Sequence, residues 1–497
     1  MSGPVADLVC ASRFDQLSGP RRRAAVRREL EALVRHCLAH ARHYDHDALR
    51  SLVASGMSDD EFFARWRAVP VLSKSDLVEH FDALCTDPEI TRQRVEAFDR
   101  ENATGDASLM TSRGPHTVKK TSGTSGKVVY TVDTLETQRR VMALLLMRAL
   151  FRVLWRRRAL SLVLPGARQV RVARSRRGVG RRRALGRVPL LVFVHRGNRS
   201  VYQGASGRSL PLFARALASV DIVSHEESLT TLIDRAARRE PELIYGLPSR
   251  IEWLARAQER GELDLDPAAV YVGGETLYPE IRDRLRRAWP NAAIINTYGT
   301  TETKPIAIAC PECHELHLCE DLVFLELLDE DGEEIVAGQT AARVLATSLW
   351  NKTVPVLRYE LADRIELLDD AGCRVRTRRI RVRGREPAFL WLEEPSSGRW
   401  LPMNGRMLRE KLVEVAGRNF MVRQPAPDRI EISFVVDEPD EGLIAAGERC
   451  VRETLSEHGW PDLPVDVEVK LYDPDQWNRV GGKLGAVTSE VAPPEHV

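Results

Sequence analysis

Between residues 188 and 302 the chain repeats one pattern, a short apolar run followed by a turn and then a stretch with helical spacing. The runs are "VPLLVFVH" (188–195), "SVDIVSH" (219–225), "AAVYVGGE" (268–275) and "AAIINTYGTTE" (292–302), the last two opening directly onto glycines. Short apolar runs rich in β-branched residues read as buried strands, and three-to-four spacing between them reads as helix. Strand, turn and helix in repetition predict an α/β architecture with its site at the strand ends.

Around this centre the pattern changes. Residues 22–90 are expected to be helical, and "TLETQRRVMALLLMRALFRVLW" (134–155) predicts one long helix. After residue 320 the spacing becomes antiparallel, with "DLVFLELLDEDGEEIVAG" (321–338) a hairpin candidate turning at Asp331-Gly332. A boundary is expected near "RVRGREPAFLWL" (381–392), dividing an N-terminal domain, 1–384, from a small α+β domain, 385–497. At 497 residues the chain is too long for one ordinary core, which makes two or more domains the natural expectation.

Composition excludes several function classes. Hydrophobic content of 43% and charged content of 29% fit a soluble globular protein, and a net charge of +2 gives no reason to expect nucleic acid. No apolar run approaches the roughly 20 residues needed to cross a bilayer. The N-terminus lacks the basic start and apolar core of a signal peptide, so a cytoplasmic location is expected. Only nine of the 73 basic residues are lysine, and two of them, Lys127 and Lys483, lie in glycine-flanked motifs. Residues 151–190 hold thirteen arginines and no acidic residue, which suits a solvated loop or a site for phosphate or an acidic partner.

Three motifs carry chemistry. In "TSGTSGK" (121–127) the hydroxyls of Thr121, Ser122, Thr124 and Ser125 can donate to phosphate oxygens. Gly123 and Gly126 let backbone N–H groups approach closely, and Lys127 adds charge. It is not a Walker loop, because Thr121 stands where that loop needs glycine and Val128 follows the lysine. A plain polar linker is the alternative. In "NTYGTTETK" (296–304), Tyr298 can stack on a base, Thr300 and Thr301 can touch phosphate, and Glu302 can hold Mg²⁺. The alternative there is a strand-end turn followed by a capped helix. In "VPVLRYELADRIEL" (354–367), Asp363 could accept both hydroxyls of a ribose, or serve as a turn or ion-pair residue.

Together and in this order the motifs resemble the adenylate-forming superfamily of acyl- and aryl-CoA synthetases, adenylation domains and luciferases, and more specifically its phenylacetate–CoA ligase branch. "VPVLSKSDL" (69–77), "PELIYGLPSRIEWLA" (241–255), "YVGGETL" (271–277) and "NRVGGKLGAV" (478–487) extend the resemblance over nearly the whole chain. It implies a large N-terminal domain of mixed sheets and helices and a small, mobile α+β C-terminal lid. The reaction it implies has two steps. A carboxylate attacks the α-phosphate of ATP, giving an acyl-adenylate and pyrophosphate, and a thiol, usually that of CoA, then displaces AMP. Carried over, Thr121 to Lys127 would embrace the β- and γ-phosphates, and Gly273, Gly274 and Glu275 would line the adenine. Asn296, Tyr298, Gly299 and Thr300 would complete the nucleotide site, with Tyr298 stacking on the base. Thr301 would contact the α-phosphate, Glu302 would hold magnesium and Asp363 the ribose. Lys483 would bridge carboxylate and α-phosphate, and Tyr245, Gly246 and Pro248 would lie near the acid.

Two departures stand out. "GREPAF" (384–389) puts Pro387 at the usual polar hinge position, and "LRYELAD" lacks the Thr-Gly or Thr-Arg before its Asp. The acceptor could equally be a carrier-protein thiol or an amine in secondary metabolism. A non-catalytic, zinc-containing scaffold with a degenerate ligase fold is the reading of another class, and a homodimer is suggested by analogy alone.

"CPECHELHLC" (310–319) adds a metal expectation. Three thiolates, Cys310, Cys313 and Cys319, with the imidazole of His317 would make a closed tetrahedral site for structural zinc, and some members of the ligase branch resemble it here. Cys10, Cys37, Cys85, Cys373 and Cys450 show no partner spacing and are expected to be ordinary thiols.

Overall fold

The computed structural model describes residues 13–54, 56–102, 107–120, 128–142, 144–145, 148, 188–194, 218–224, 227–275, 277, 279–310, 312–385, 390–403, 405–417, 419–480 and 484–491. The chain divides into two compact units, the larger built from within residues 1–384 and the smaller mainly from 385–497.

In the larger unit, helix α1 (Gly19–His40) buries Val26, Leu30, Leu33, Val34 and Cys37 along one stripe, as its three-to-four spacing dictates. A small antiparallel sheet follows, made of β1 (Leu109–Thr111), β2 (Gly114–Lys120) and β3 (Tyr130–Thr134). The central sheet starts with β4 (Val188–Val194) and β5 (Ala218–Ser224), and helix α2 (Leu229–Arg239) leads to β6 (Leu243–Gly246). Helix α3 (Pro248–Glu259) then connects to β7 (Ala269–Gly273), and α4 (Pro279–Ala288) to β8 (Ala293–Tyr298). Strands β5, β4, β6, β7 and β8 are parallel neighbours in that order. Every residue of β7 is buried, the mark of a parallel strand covered on both faces.

Beyond β8 the sheet turns antiparallel through β9 (Ala307–Ala309) and β10 (Leu316–Leu318). Three strands, β11 (Val323–Leu328), β12 (Arg343–Ser348) and β13 (Tyr359–Leu361), form a separate antiparallel sheet. Strands β14 (Asp363–Leu368) and β15 (Arg379–Arg385) then close the central sheet to nine, with β15 against β10. The expected hairpin turn forms at Asp331-Gly332, where Gly332 takes φ +82°. Its return arm meets β11 at the isolated Leu328–Glu334 bridge, and the partner along the whole of β11 is β12.

The smaller unit pairs β16 (Leu390–Glu394) with β17 (Arg399–Met403). Its other sheet runs β20 (Asp466–Tyr472), β19 (Arg429–Val435), β18 (Phe420–Ala426) and β21 (Ala486–Ser489). Phe420, Val422, Ile430, Ile432 and Phe434 from β18 and β19 meet Leu408 and Leu412 of helix α5 (Gly405–Ala416) and Val451 and Leu455 of helix α6 (Gly442–Glu457). Close approach explains Gly447 in α6, since a Cβ there would lie 3.0 Å from Phe434 Cε2. Among the described residues no helix is long and apolar enough to cross a membrane.

Candidate nucleotide and metal sites

Three motifs follow one another at the carboxyl ends of adjacent parallel strands. Tyr245 and Gly246 end β6, with Pro248 opening α3; Gly273 ends β7, with Gly274 and Glu275 next; Asn296 and Tyr298 lie at the end of β8, with Gly299 to Glu302 beyond. The register aligns Gly246 with Val272 and Val272 with Asn296, so the three strand ends are level. Ligands of open α/β sheets bind outside such ends. The Tyr245 and Tyr271 rings lie 5.2 Å apart, and burial pushes the Tyr245 hydroxyl pKa up.

The glycines of β7 are needed for different reasons. A Cβ on Gly273 would sit 2.4 Å from Thr297 Oγ1, which is itself fixed by donating to the Val272 carbonyl at 3.1 Å. Gly274 takes φ +88°, a conformation that side chains resist. We expect Gly273→Ala to destabilise the protein by about 1–3 kcal/mol, the cost typical of overpacking. A denaturant titration would show the loss, and an unchanged midpoint would refute the close approach.

Beyond β8 the chain is tightly organised. The Thr303 N–H donates to Thr300 Oγ1 at 3.1 Å, so Thr300 caps the turn while its hydroxyl lies 2.9 Å from that of Thr303. Thr131 Oγ1 on β3 donates to the Thr301 carbonyl at 3.4 Å. Glu302 is 8% exposed, and Tyr359 on β13 donates its hydroxyl to Glu302 Oε1 at 3.2 Å. Asn296 Oδ1 is buried with no protein partner, an orphaned acceptor of the kind that a ligand donor satisfies. Asp363 is half-buried at the start of β14, four residues after Tyr359.

Charges alternate beneath this turn. Lys119 on β2 and Asp133 on β3 form an ion pair with both side chains almost wholly buried, and the Lys119 ammonium lies 5.1 Å from the Trp350 ring centroid. Burial, then the Lys119 charge, brings the Lys304 pKa down to about 8, with Asp133 and Glu302 opposing the fall. No spacing pattern in the sequence announced the Lys119–Asp133 pair; adjacency of β2 and β3 creates it.

The metal expectation needs one correction. Cys310, Cys313 and His317 gather as expected, but the fourth residue is Cys373, not Cys319; the four ligand atoms all lie within 4.8 Å of one another. A tetrahedral zinc with bonds of about 2.3 Å spaces its sulfurs about 3.8 Å apart, so the donor set fits. Cys373 precedes β15, which pairs with β10 and so meets His317, whereas Cys319 is wholly buried with its N–H on the Ile306 carbonyl. The left-handed His314 (φ +62°) turns the chain between Cys313 and β10. His317 Nδ1 lies 3.0 Å from the Thr377 carbonyl, which leaves Nε2, 3.4 Å from Cys313 Sγ, for a metal.

Thr121 to Lys127, Lys483, Pro387 and the arginines of 151–187 lie outside the described residues.

No protein-family model matches the chain. Protein CapK of Staphylococcus aureus is 24% identical over 174 residues, 34% of this chain, and the match spans 36% of that protein's length. A crystal structure of 2-hydroxyisobutyryl-CoA ligase in the postadenylation state, in complex with R3-HIB-AMP, is 16% identical with a TM-score of 0.55, over 97% of this chain and 92% of that one. The same ligase with 2-HIB-AMP gives a TM-score of 0.53 over 93% and 88%. At this identity the likeness is one of architecture, and with the strand-end motifs it assigns the chain the α/β fold of the adenylate-forming ligases.

Proposed function

We propose that the protein is an ATP-dependent, AMP-forming ligase that activates a small carboxylic acid and passes the acyl group to the thiol of CoA. The observation that carries this reading is the strand-end set: Asn296 Oδ1 buried without a partner, Gly273 and Gly274 with no side chains, and a buried, oriented Glu302, all at adjacent strand ends. The acyl-adenylate in the similar 2-hydroxyisobutyryl-CoA ligase structure supports it.

In this reading a carboxylate oxygen forms a bond to the α-phosphorus as the bond to pyrophosphate breaks. The thiolate then forms the thioester and AMP leaves. Catalysis of such charge-rich steps is mostly positioning and electrostatic stabilisation. Thr121 to Lys127 clasp the departing pyrophosphate, Thr301 contacts the α-phosphate, Tyr298 and Gly273 to Glu275 hold the adenine, and Asp363 holds the ribose. Glu302 would hold Mg²⁺, whose charge would offset that of the phosphates. Residues 385–497 act as the lid that delivers Lys483, and the branch closest in motif is the phenylacetate–CoA ligase-like one. Zinc on Cys310, Cys313, His317 and Cys373 would be structural, because four protein ligands would leave no open position.

The test is carboxylate-dependent exchange of labelled pyrophosphate into ATP across a panel of acids, followed by supply of CoA, a carrier protein or an amine. Exchange with one chemical class of acid, and thioester formation on adding CoA, are expected. Acyl transfer only to a carrier protein or an amine would redirect the second step. A folded, metal-loaded protein that exchanges with no acid would favour a scaffold.

A further inference from the structure

Strand β13 lies in a different sheet from the strand-end motifs, yet Tyr359 reaches Glu302. Several contacts force it to do so. Arg358, just before it, has φ +47°, a left-handed conformation that costs a non-glycine residue of order 1–3 kcal/mol and persists only where its surroundings over-determine it. The surroundings do. The Arg358 guanidinium is buried; it donates to the carbonyls of Arg67 and Val69, both at 2.6 Å, and to both oxygens of buried Glu326 at 3.1–3.2 Å. Its backbone N–H donates to Thr347 Oγ1 at 2.9 Å. The carbonyl of Arg358 and the N–H of Glu360 are both tied to the backbone of Leu72, at 3.1 and 3.0 Å. Tyr359 therefore leaves a clamped, left-handed corner with its ring turned inward, 5% exposed.

We infer that Tyr359 is a positioning residue, held by the Arg358 corner, whose hydroxyl fixes the Glu302 carboxylate so that its second oxygen faces a divalent cation. The inference rests on the ligase reading of Glu302 above. It adds a residue to that reading, and it gives the Arg358 corner a purpose that a packing role does not require. Removing the hydroxyl frees the carboxylate to rotate, and loss of such an outer-shell hydrogen bond typically costs about tenfold or more in metal affinity. The ring remains, so packing is nearly unchanged.

The experiment uses the full chain and Tyr359→Phe. Mn²⁺ binding in the presence of a non-hydrolysable ATP analogue is followed by the paramagnetic resonance of the free ion, alongside nucleotide binding without metal and the thermal midpoint. The expected result is roughly tenfold weaker Mn²⁺ binding, with metal-free nucleotide affinity and thermal midpoint unchanged. In a Glu302→Ala background, Tyr359→Phe should cause no further loss. Unchanged Mn²⁺ affinity in Tyr359→Phe overturns the inference alone, as does an equal fall in metal-dependent and metal-free binding, which would mark a structural role. Wild-type protein that binds no metal–nucleotide complex overturns the ligase reading and this inference together.

Discussion

Lys483→Ala is expected to slow carboxylate-dependent pyrophosphate exchange by about 10²–10³-fold, the loss typical of removing one group aimed at transition-state charge. It should spare thioester formation from supplied acyl-adenylate. The asymmetry follows from where charge gathers. In the first step an anionic carboxylate meets an anionic α-phosphate, and a compact ammonium on a flexible stem can bridge both. In the second the acyl carbon is attacked and AMP departs as a ready leaving group, so no second anion has to be drawn to phosphorus. The segment after Lys483 is firmly held: β21 pairs with β18 from Met421–Ala486 onward, and Arg409 Nε donates to the Gly485 carbonyl at 2.9 Å. The strand that follows is thus anchored by its own contacts, and Lys483→Ala should leave the thermal midpoint unchanged. Single-turnover assays of each half-reaction check the split. Equal loss in both would remove Lys483 from adenylation.

What could be read in the sequence was local. The α/β class was legible because strands such as Ala269–Gly273 are buried on both faces and so carry unbroken apolar runs. The strand-end motifs were legible because strand, glycine turn and polar residues are contiguous in the chain. Long-range partners were not. Tyr359 meets Glu302 across 57 residues, and Cys373 joins Cys310 across 63; neither separation leaves any periodic trace. Cys319 looked like the fourth ligand because it closes a compact Cys/His run. The pairing of β10 with β15 instead brings the Cys373 segment beside His317. The hairpin after residue 321 shows the same limit: Asp331-Gly332 fixes the turn, but pairing across the sheet gives β11 to β12.

That correction makes the metal a sharp test. Cys373→Ser is expected to abolish stoichiometric zinc and lower the thermal midpoint by roughly 5–10 °C, while Cys319→Ala keeps the metal. Zinc bound by the folded state and not by the unfolded one adds its binding free energy to stability, about 10–16 kcal/mol in peptides that have no other core. Here a buried sheet already exists, since β9, β10 and β15 pair without help, so only part of that figure is at stake. What a metal there would add is a clip between the turn after β9, the strand β10 and the segment leading into β15. Losing one of four ligands would open the clip. Removing Cys319 leaves only a small cavity, because that thiol lies outside the four-residue cluster. Metal content by atomic emission, measured beside thermal unfolding of the three proteins, decides the matter. Zinc lost with Cys319→Ala and kept with Cys373→Ser would return the fourth ligand to the position that the compact run suggests.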